Sequence, residues 1–450
     1  MSKRILLINP WIHDFAAYDL WAAPLGLLSL GAILRENGYK VSLIDCLNPF
    51  HPALDLQSGS KPLTRTPAGR GTFYKEEITK PLALRDFPRK YSRYGIPPSL
   101  FENELRRIPR PDAVFVTSIM TYWYPGVFEA IEMVRQVLPR VPIVLGGIYA
   151  TLCTDHALRH AGTDIVTAGA GEDVLPGVLK ELFNDSSSRI PDRDDLDSLP
   201  YPAFDLIPHR DQVSIMTSRG CPFRCSYCAS ALLSGGFRTR NPLRVVDEIA
   251  FWNREFGITN FSFYDDALLI DRERRVIPML EEALQRGLAC TFHCPNGLHL
   301  REMDASLAGL MFRAGFQTIR FGFETASARR QADTGGKITN EETKTAVTYL
   351  REAGYSGKDI GTYILCGLPG QSFSEVLESI DFIRSCGARP VIAEFSPIPG
   401  TPIWAEAVNA SPYNIQEEPL YHNNTLLPCR GKDFTYEMYR ELIRVARKPV

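Results

Sequence analysis

The chain has 450 residues, 44% of them hydrophobic and 23% charged, with a formal net charge of −2. That balance belongs to an ordinary globular protein of two or three domains and argues against a chain built to coat nucleic acid. No uncharged apolar run is long enough to span a bilayer, so neither a membrane nor a nucleic acid is expected as a partner.

The N-terminal "MSKRILLINP" carries charge but only a short apolar stretch, and reads as a first strand in place of a signal peptide. "RILLIN" (4–9) and "VSLID" (41–45) are strands on either side of a helix in "PLGLLSLGAILRENGYK", with Pro24 near its start and Gly38 past its end. "DAVFVTS", "VPIVLGG" and "TDIVTAG" supply three more strands, and "PGVFEAIEMVRQVL" an amphipathic helix. Strands separated by helices imply parallel pairing, and residues 1–183 read as a Rossmann-like, doubly wound sheet of about five strands. Such sheets bind ligands at the carboxyl ends of their strands. Residues 47–110 break the rhythm as a Pro-, Arg- and Gly-rich insertion, expected to be a lid, a binding loop or a mobile segment. The polar stretch at 184–208 reads as a linker.

From 209 to 410 the alternation runs six times, through "VSIMTS", "NFSFYDD", "CTFHCP", "TIRFGFE", "IGTYILCG" and "PVIAEFSP". Six β/α units predict an open, partial barrel where eight would close one. Asn241, Pro242 and Gly257 mark the ends of its first helix. Residues 411–450 form a C-terminal extension ending in a basic helix.

Ten scattered cysteines make no disulfide framework and point to a reducing, cytoplasmic location. Three of them, Cys221, Cys225 and Cys228 in "SRGCPFRCSYCAS", follow the first strand of the second half, at the mouth where barrel active sites are built. Iron–sulfur clusters are usually held by four cysteines, so three leave one iron with an open position, the mark of a reactive site. The alternative is a zinc site completed by His293 or Cys294.

"CPFRCSYC" resembles the CxxxCxxC signature of the radical S-adenosylmethionine (SAM) superfamily. The resemblance implies a [4Fe–4S] cluster on the three cysteines, whose unique iron chelates SAM, and reductive cleavage of SAM to a 5′-deoxyadenosyl radical. It places Tyr227 beside the adenine. Asp265 and Asp266 stand where family members bind the SAM ammonium, with a helix N-terminal cap as the alternative. Asn296 offers a ribose contact, Glu324 a polar SAM contact, and Gly367 in "CGLPGQ" a close backbone approach to adenine.

A doubly wound domain ahead of such a barrel resembles the cobalamin-binding subgroup. "VTSIMT", "LGGIYAT" and "AGAGE" are similar to its strand-end loops, and Ser118, Thr121, Gly146 and Gly147 could form a slot for the nucleotide tail of cobalamin. The DxHxxG motif is absent; His13 in "WIHDF" has the wrong spacing, and the aromatic run 121–126 could cover the lower face instead. Methylthiotransferases are set aside, since residues 1–200 hold only Cys46 and Cys153. The expectation is a cobalamin-dependent radical SAM methyltransferase acting on an unactivated carbon of a small-molecule or peptide substrate, supplied by a one-electron reductant such as flavodoxin or ferredoxin. A radical cyclase, oxidase or rearrangement enzyme on the same scaffold, and a non-catalytic metal-binding protein, are the alternatives.

Overall fold

Strand β1 (Arg4–Asn9) is buried on both faces, with Ile5 to Ile8 all at 0% exposure. Its side chains alternate between two cores: Leu6 and Ile8 enter one, Ile5 and Leu7 the other. In this computed structural model, which describes residues 2–54, 63–208 and 210–449, β1 lies between β2 (Lys40–Asp45) and β3 (Ala113–Val116). Next come β4 (Ile143–Leu145) and β5 (Ile165–Val166). All pair parallel, in the order β2-β1-β3-β4-β5, the doubly wound arrangement expected. The order reverses at β1 and β3, which opens a crevice at the carboxyl ends of the strands. The helix Leu25–Glu36 covers one face with Leu27, Leu28, Ile33 and Leu34, and the chain turns out of it at Gly38 (φ +80).

The chain divides into two units, Met1–Arg210 with Gln416–His422, and Asp211–Ile415 with Asn423–Val450. The boundary falls just after the linker read at 184–208. The 411–450 extension is split, because its middle clusters with the first unit.

The described part of the 47–110 insertion is built into the first unit's core. Residues 55–62 of that stretch lie outside the described residues. Ser92–Tyr94 pairs antiparallel with both Ile12–Asp14 and Lys75–Glu77. The helix Pro98–Arg107 buries Leu100, Phe101 and Leu105. Phe101 meets the Trp11 ring at 4.9 Å, and Trp11 Nε1 donates to the Ile96 carbonyl at 2.6 Å.

The second unit carries six parallel strands: β6 (Val213–Ile215), β7 (Asn260–Phe263), β8 (Thr291–His293), β9 (Phe316–Glu324), β10 (Ile360–Cys366) and β11 (Arg389–Glu394). They run in sequential order, and among the described residues β6 and β11 do not pair, so the barrel is partial. One face presents Phe261, Phe292 and Phe316 in register across β7–β9, and the other Ser214, Ser262 and His293 across β6–β8. The helix Pro242–Phe256 has its predicted ends: Asn241 Oδ1 accepts from Leu243 N at 2.9 Å, and Gly257 is left-handed. All ten cysteines are free thiols, and no helix among the described residues is long and apolar enough to cross a membrane.

Candidate active site: a braced cysteine loop and a glycine-lined crevice

β6 delivers the chain to Gly220 (φ +79), where a Cβ would stand 2.7 Å from the Gly236 carbonyl oxygen. Only glycine makes that turn without displacing the backbone. Cys221 and Cys225 are half-buried and Cys228 is exposed. A turn from Cys228 N to Cys225 O (3.1 Å) folds the loop, and Ser230 N donates to Cys228 Sγ at 3.4 Å. Burial pushes the Cys221 thiol up to about 11, so seating a cluster there releases a proton.

No group of three or more His, Cys, Asp or Glu among the described residues is arranged around a single metal ion. The zinc alternative lacks its fourth ligand as well. His293 is fully buried, its ring nitrogens 3.2 Å from Thr318 Oγ1 and from Asn260 Oδ1, and Cys294 is 1% exposed. A cubane asks less, since each thiolate binds a different iron.

Asp265 and Asp266 hold the two ends of the cysteine loop. Asp265 Oδ1 accepts the Thr217 hydroxyl at 2.6 Å and the Ser218 hydroxyl at 2.5 Å, and both its oxygens accept Thr217 N at 3.1 Å. The Arg275 guanidinium, 4% exposed, lies 3.6 Å from Asp265 and donates to Thr217 Oγ1. Asp266 Oδ2 accepts the Ser230 hydroxyl at 2.6 Å, just past Cys228. Neither aspartate is a helix cap: the next helix begins at Val276, behind Arg275. Of the pair, Asp265 is buried and spent on scaffold, and only Asp266 keeps a partly accessible carboxylate.

Tyr227 and Glu324 meet at a third residue that sequence reasoning missed. Lys337 Nζ donates to the Tyr227 hydroxyl at 3.1 Å and pairs with the Glu324 carboxylate. Burial works against the ammonium, but the charges of Glu324, Cys225 and Cys228 and the hydrogen bond to Glu324 together outweigh it, so the Lys337 pKa is raised. Glu324 ends β9 at φ +73, a left-handed backbone in a non-glycine residue, beside a shift in register with β10. Such strain clusters at functional sites. The loop that carries Lys337 also touches the cysteines: Gly335 (φ +116) puts an added Cβ 3.1 Å from Cys225 Cα, and Ser226 N donates to Thr334 O. "TGGKIT" offers a glycine pair as its only sequence signal. Asn296 Nδ2 donates to the Tyr264 and Asp265 carbonyls and so pins the end of β7. Gly367 (φ +92) is buried beneath Leu427, and its N–H is held by Gln371 Oε1 at 2.8 Å.

In the first unit a crevice opens at the ends of β3, β4 and β5. Gly26, Gly146, Gly147, Gly169, Thr117 and Thr167 line it with apolar neighbours. A Cβ added at Gly26 or Gly169 would meet nothing within 4 Å, so these glycines leave room along the crevice wall. The crevice therefore fits an extended ligand tail with one apolar side. Gly147 has a second reason: at φ +97 its Cβ would lie 2.3 Å from the Ser118 carbonyl oxygen. The hydroxyls expected to meet a ligand are used internally. Ser118 Oγ donates to Gly146 O at 2.7 Å and accepts from Ala150 N, and Thr121 Oγ1 sits 2.9 Å from His422 Nδ1. His13 is buried, 2.8 Å from Glu129. The 121–126 run packs inward: Trp123 Nε1 donates to Asp14, and Tyr124 stacks on Tyr149.

Comparison with known proteins agrees with this geometry. Residues 215–383 match the Radical SAM superfamily and residues 90–179 the B12 binding domain. An uncharacterized methyltransferase of Pyrococcus horikoshii is 27% identical over 367 residues, covering 75% of this chain and 78% of its own. The anaerobic magnesium-protoporphyrin IX monomethyl ester cyclase of Cereibacter sphaeroides is 29% identical over 335 residues, 66% of this chain and 53% of the cyclase. The solved radical SAM methyltransferase TsrM of Kitasatospora setae shares the fold at a TM-score of 0.65 and 17% identity, over 91% of this chain and 76% of TsrM. The chain carries a radical SAM domain and, ahead of it, a B12-binding domain. That pairing makes it a cobalamin-dependent radical SAM enzyme, whose cofactors are a [4Fe–4S] cluster, SAM and cobalamin.

Proposed function

We propose that Cys221, Cys225 and Cys228 hold the cluster, and that the enzyme methylates an unactivated carbon of a small-molecule or peptide substrate. The observation that carries this reading is the pairing, in one chain, of a braced three-thiol loop at the end of β6 with a glycine-lined crevice at the ends of β3 to β5. Together the cofactors would supply a 5′-deoxyadenosyl radical for hydrogen abstraction and a methyl carrier for the carbon that loses the hydrogen.

The chain's own residues divide the remaining work. Asp265 and Asp266 fix the two ends of the loop that carries the thiols. Tyr227 borders the adenine, and Lys337 holds its hydroxyl in place. Glu324, Asp266 and Asn296 are the polar contacts for SAM, and Gly367 forms the turn at the end of β10. Gly146, Gly147, Gly169 and Gly26 give the nucleotide tail of cobalamin its path. Ser118 and Thr121 hold that wall in shape. An external one-electron reductant such as flavodoxin or ferredoxin completes the system, and ten free thiols suit a reducing cytoplasm.

The similarity to the cyclase supports a second reading, radical cyclisation with the same cofactors. Anaerobic purification with cobalamin supplied, reconstitution with iron and sulfide, and metal analysis form the first test. About four irons and one cobalt per chain are expected, followed by transfer of label from methyl-labelled SAM to product. Iron without cobalt would sink the cobalamin mechanism. Zinc in place of iron, with no SAM cleavage, would leave a non-catalytic metal protein. Cleavage of SAM without labelled product would favour cyclisation.

A further inference from the structure

His299 follows β8 and lies against the cysteine loop without belonging to it. Its ring stacks on Phe223, in the middle of the loop, at 4.7 Å and 18°. It is 7% exposed, and its Nε2 stands 3.9 Å from Cys221 Sγ. Its Nδ1 is buried and has no hydrogen-bond partner among the described residues. A neutral imidazole carries one N–H. At Nδ1 that proton would be a buried donor without an acceptor, a costly arrangement. At Nε2 it points at a thiolate. The partners therefore select the Nε2–H tautomer.

We propose that His299 is a positioning residue for the cluster, donating Nε2–H to the Cys221 thiolate and raising the cluster's reduction potential. The proposal rests on the reading that the three cysteines hold a [4Fe–4S] cluster. A hydrogen bond to a ligating sulfur draws charge off it, and so stabilises the reduced cluster, which carries one more electron. The stack on Phe223 fixes the ring plane and keeps the donor aimed at the sulfur.

The test uses the full chain, reconstituted anaerobically, with potentiometric titration followed by electron paramagnetic resonance. His299→Phe keeps an aromatic ring against Phe223 and removes the donor; His299→Gln keeps a donor. With iron content equal to wild type, the Phe variant is expected to show about a tenfold lower ratio of reduced to oxidised cluster at a fixed poise, which is a fall of 59 mV for one electron. The Gln variant should recover much of that difference. In wild-type protein labelled with ¹⁵N-histidine, pulsed resonance on the reduced cluster should show one weakly coupled nitrogen. An unchanged potential in a fully loaded Phe variant would overturn the proposal. A strong coupling would overturn it too, by making His299 a ligand. Should the Phe variant lose its iron, the presence or absence of the weak coupling in wild type decides. Wild-type protein that binds no iron would instead bring down the cluster reading, and this proposal with it.

Discussion

Asp265 accepts the Thr217 N–H with both carboxylate oxygens at 3.1 Å and the Thr217 hydroxyl at 2.6 Å. The carboxylate is 3% exposed and its counter-charge is Arg275. Burial raises its pKa, while the two hydroxyls, the backbone N–H and the guanidinium favour the ion. Removing one partner of such a group strands the other. Asp265→Ala is expected to cost about 3 kcal/mol or more in urea unfolding, because Arg275 is left buried and unpaired. Iron retained per chain after reconstitution should fall with it. Asp265→Asn keeps an acceptor and should lose less of both. A variant with full stability and full iron would show that the contacts are incidental.

Two glycines of the crevice should respond in opposite ways. Gly147→Ala forces a Cβ to within 2.3 Å of the Ser118 carbonyl at φ +97, so thermal unfolding should reveal a loss of about 2 kcal/mol. At Gly26 a Cβ meets nothing within 4 Å. Gly26→Leu should leave stability unchanged or slightly raised, since leucine favours helix over glycine. It should weaken cobalamin binding about tenfold, or 1.4 kcal/mol, by occupying the tail's space. Titration of cobalamin onto each purified variant separates the two effects.

The Lys337–Glu324 pair has side chains only 16% and 10% exposed. Lys337→Met leaves Glu324 in a left-handed backbone with no counter-charge, and a loss of about 2 kcal/mol is expected, reduced from the fully buried case for partial exposure. Adding Glu324→Gln should recover part of it. A double-mutant cycle measures that coupling, and additive losses would mean that the two residues act independently.

The first unit should be sensitive to mild acid through His156. Burial, with the nearby His160 and Arg159, pushes its pKa down to about 4 from the usual 6.5. A depressed pKa means that the unfolded chain binds the proton more tightly. The contribution is fully present above pH 6.5 and is lost as pH falls toward 4. With the side chain partly exposed, about 2 kcal/mol is at stake. His156→Phe, which can pack in the same ring cluster with Tyr124 and Phe128, should flatten the slope of stability between pH 6.5 and 4. An unchanged slope would assign the acid sensitivity to other groups.

Local signals in the sequence held up because they are local. Asn241, Pro242 and Gly257 end one helix by contacts within a turn of themselves. The buried run at 4–9 announces a strand covered on both faces. The cysteine spacing announces its own chemistry. Long-range relations were not legible. Nothing in "FYDDALLID" says that Asp265 will reach back to residues 217 and 218, so it reads equally as a ligand contact. Nothing in "TGGKIT" places Lys337 beside Tyr227. Ser118 and Thr121 lie in the expected loops, yet their hydroxyls are satisfied within the fold. Residues 47–110 look irregular because short antiparallel strands and a single helix carry little periodicity, yet their apolar residues enter the core.

The braces of the cysteine loop have a consequence for how the protein is made. Asp265 and Asp266 follow Cys221 by several tens of residues, and the Gly335–Lys337 segment by roughly a hundred. A ribosome adding about 5–20 residues per second leaves the three thiols without those supports for roughly 5 to 20 s after they are synthesised. During that interval the thiols lie on a nascent chain that lacks the contacts bracing their loop. On the proposed reading, loading of a cluster is expected only after translation has passed Lys337.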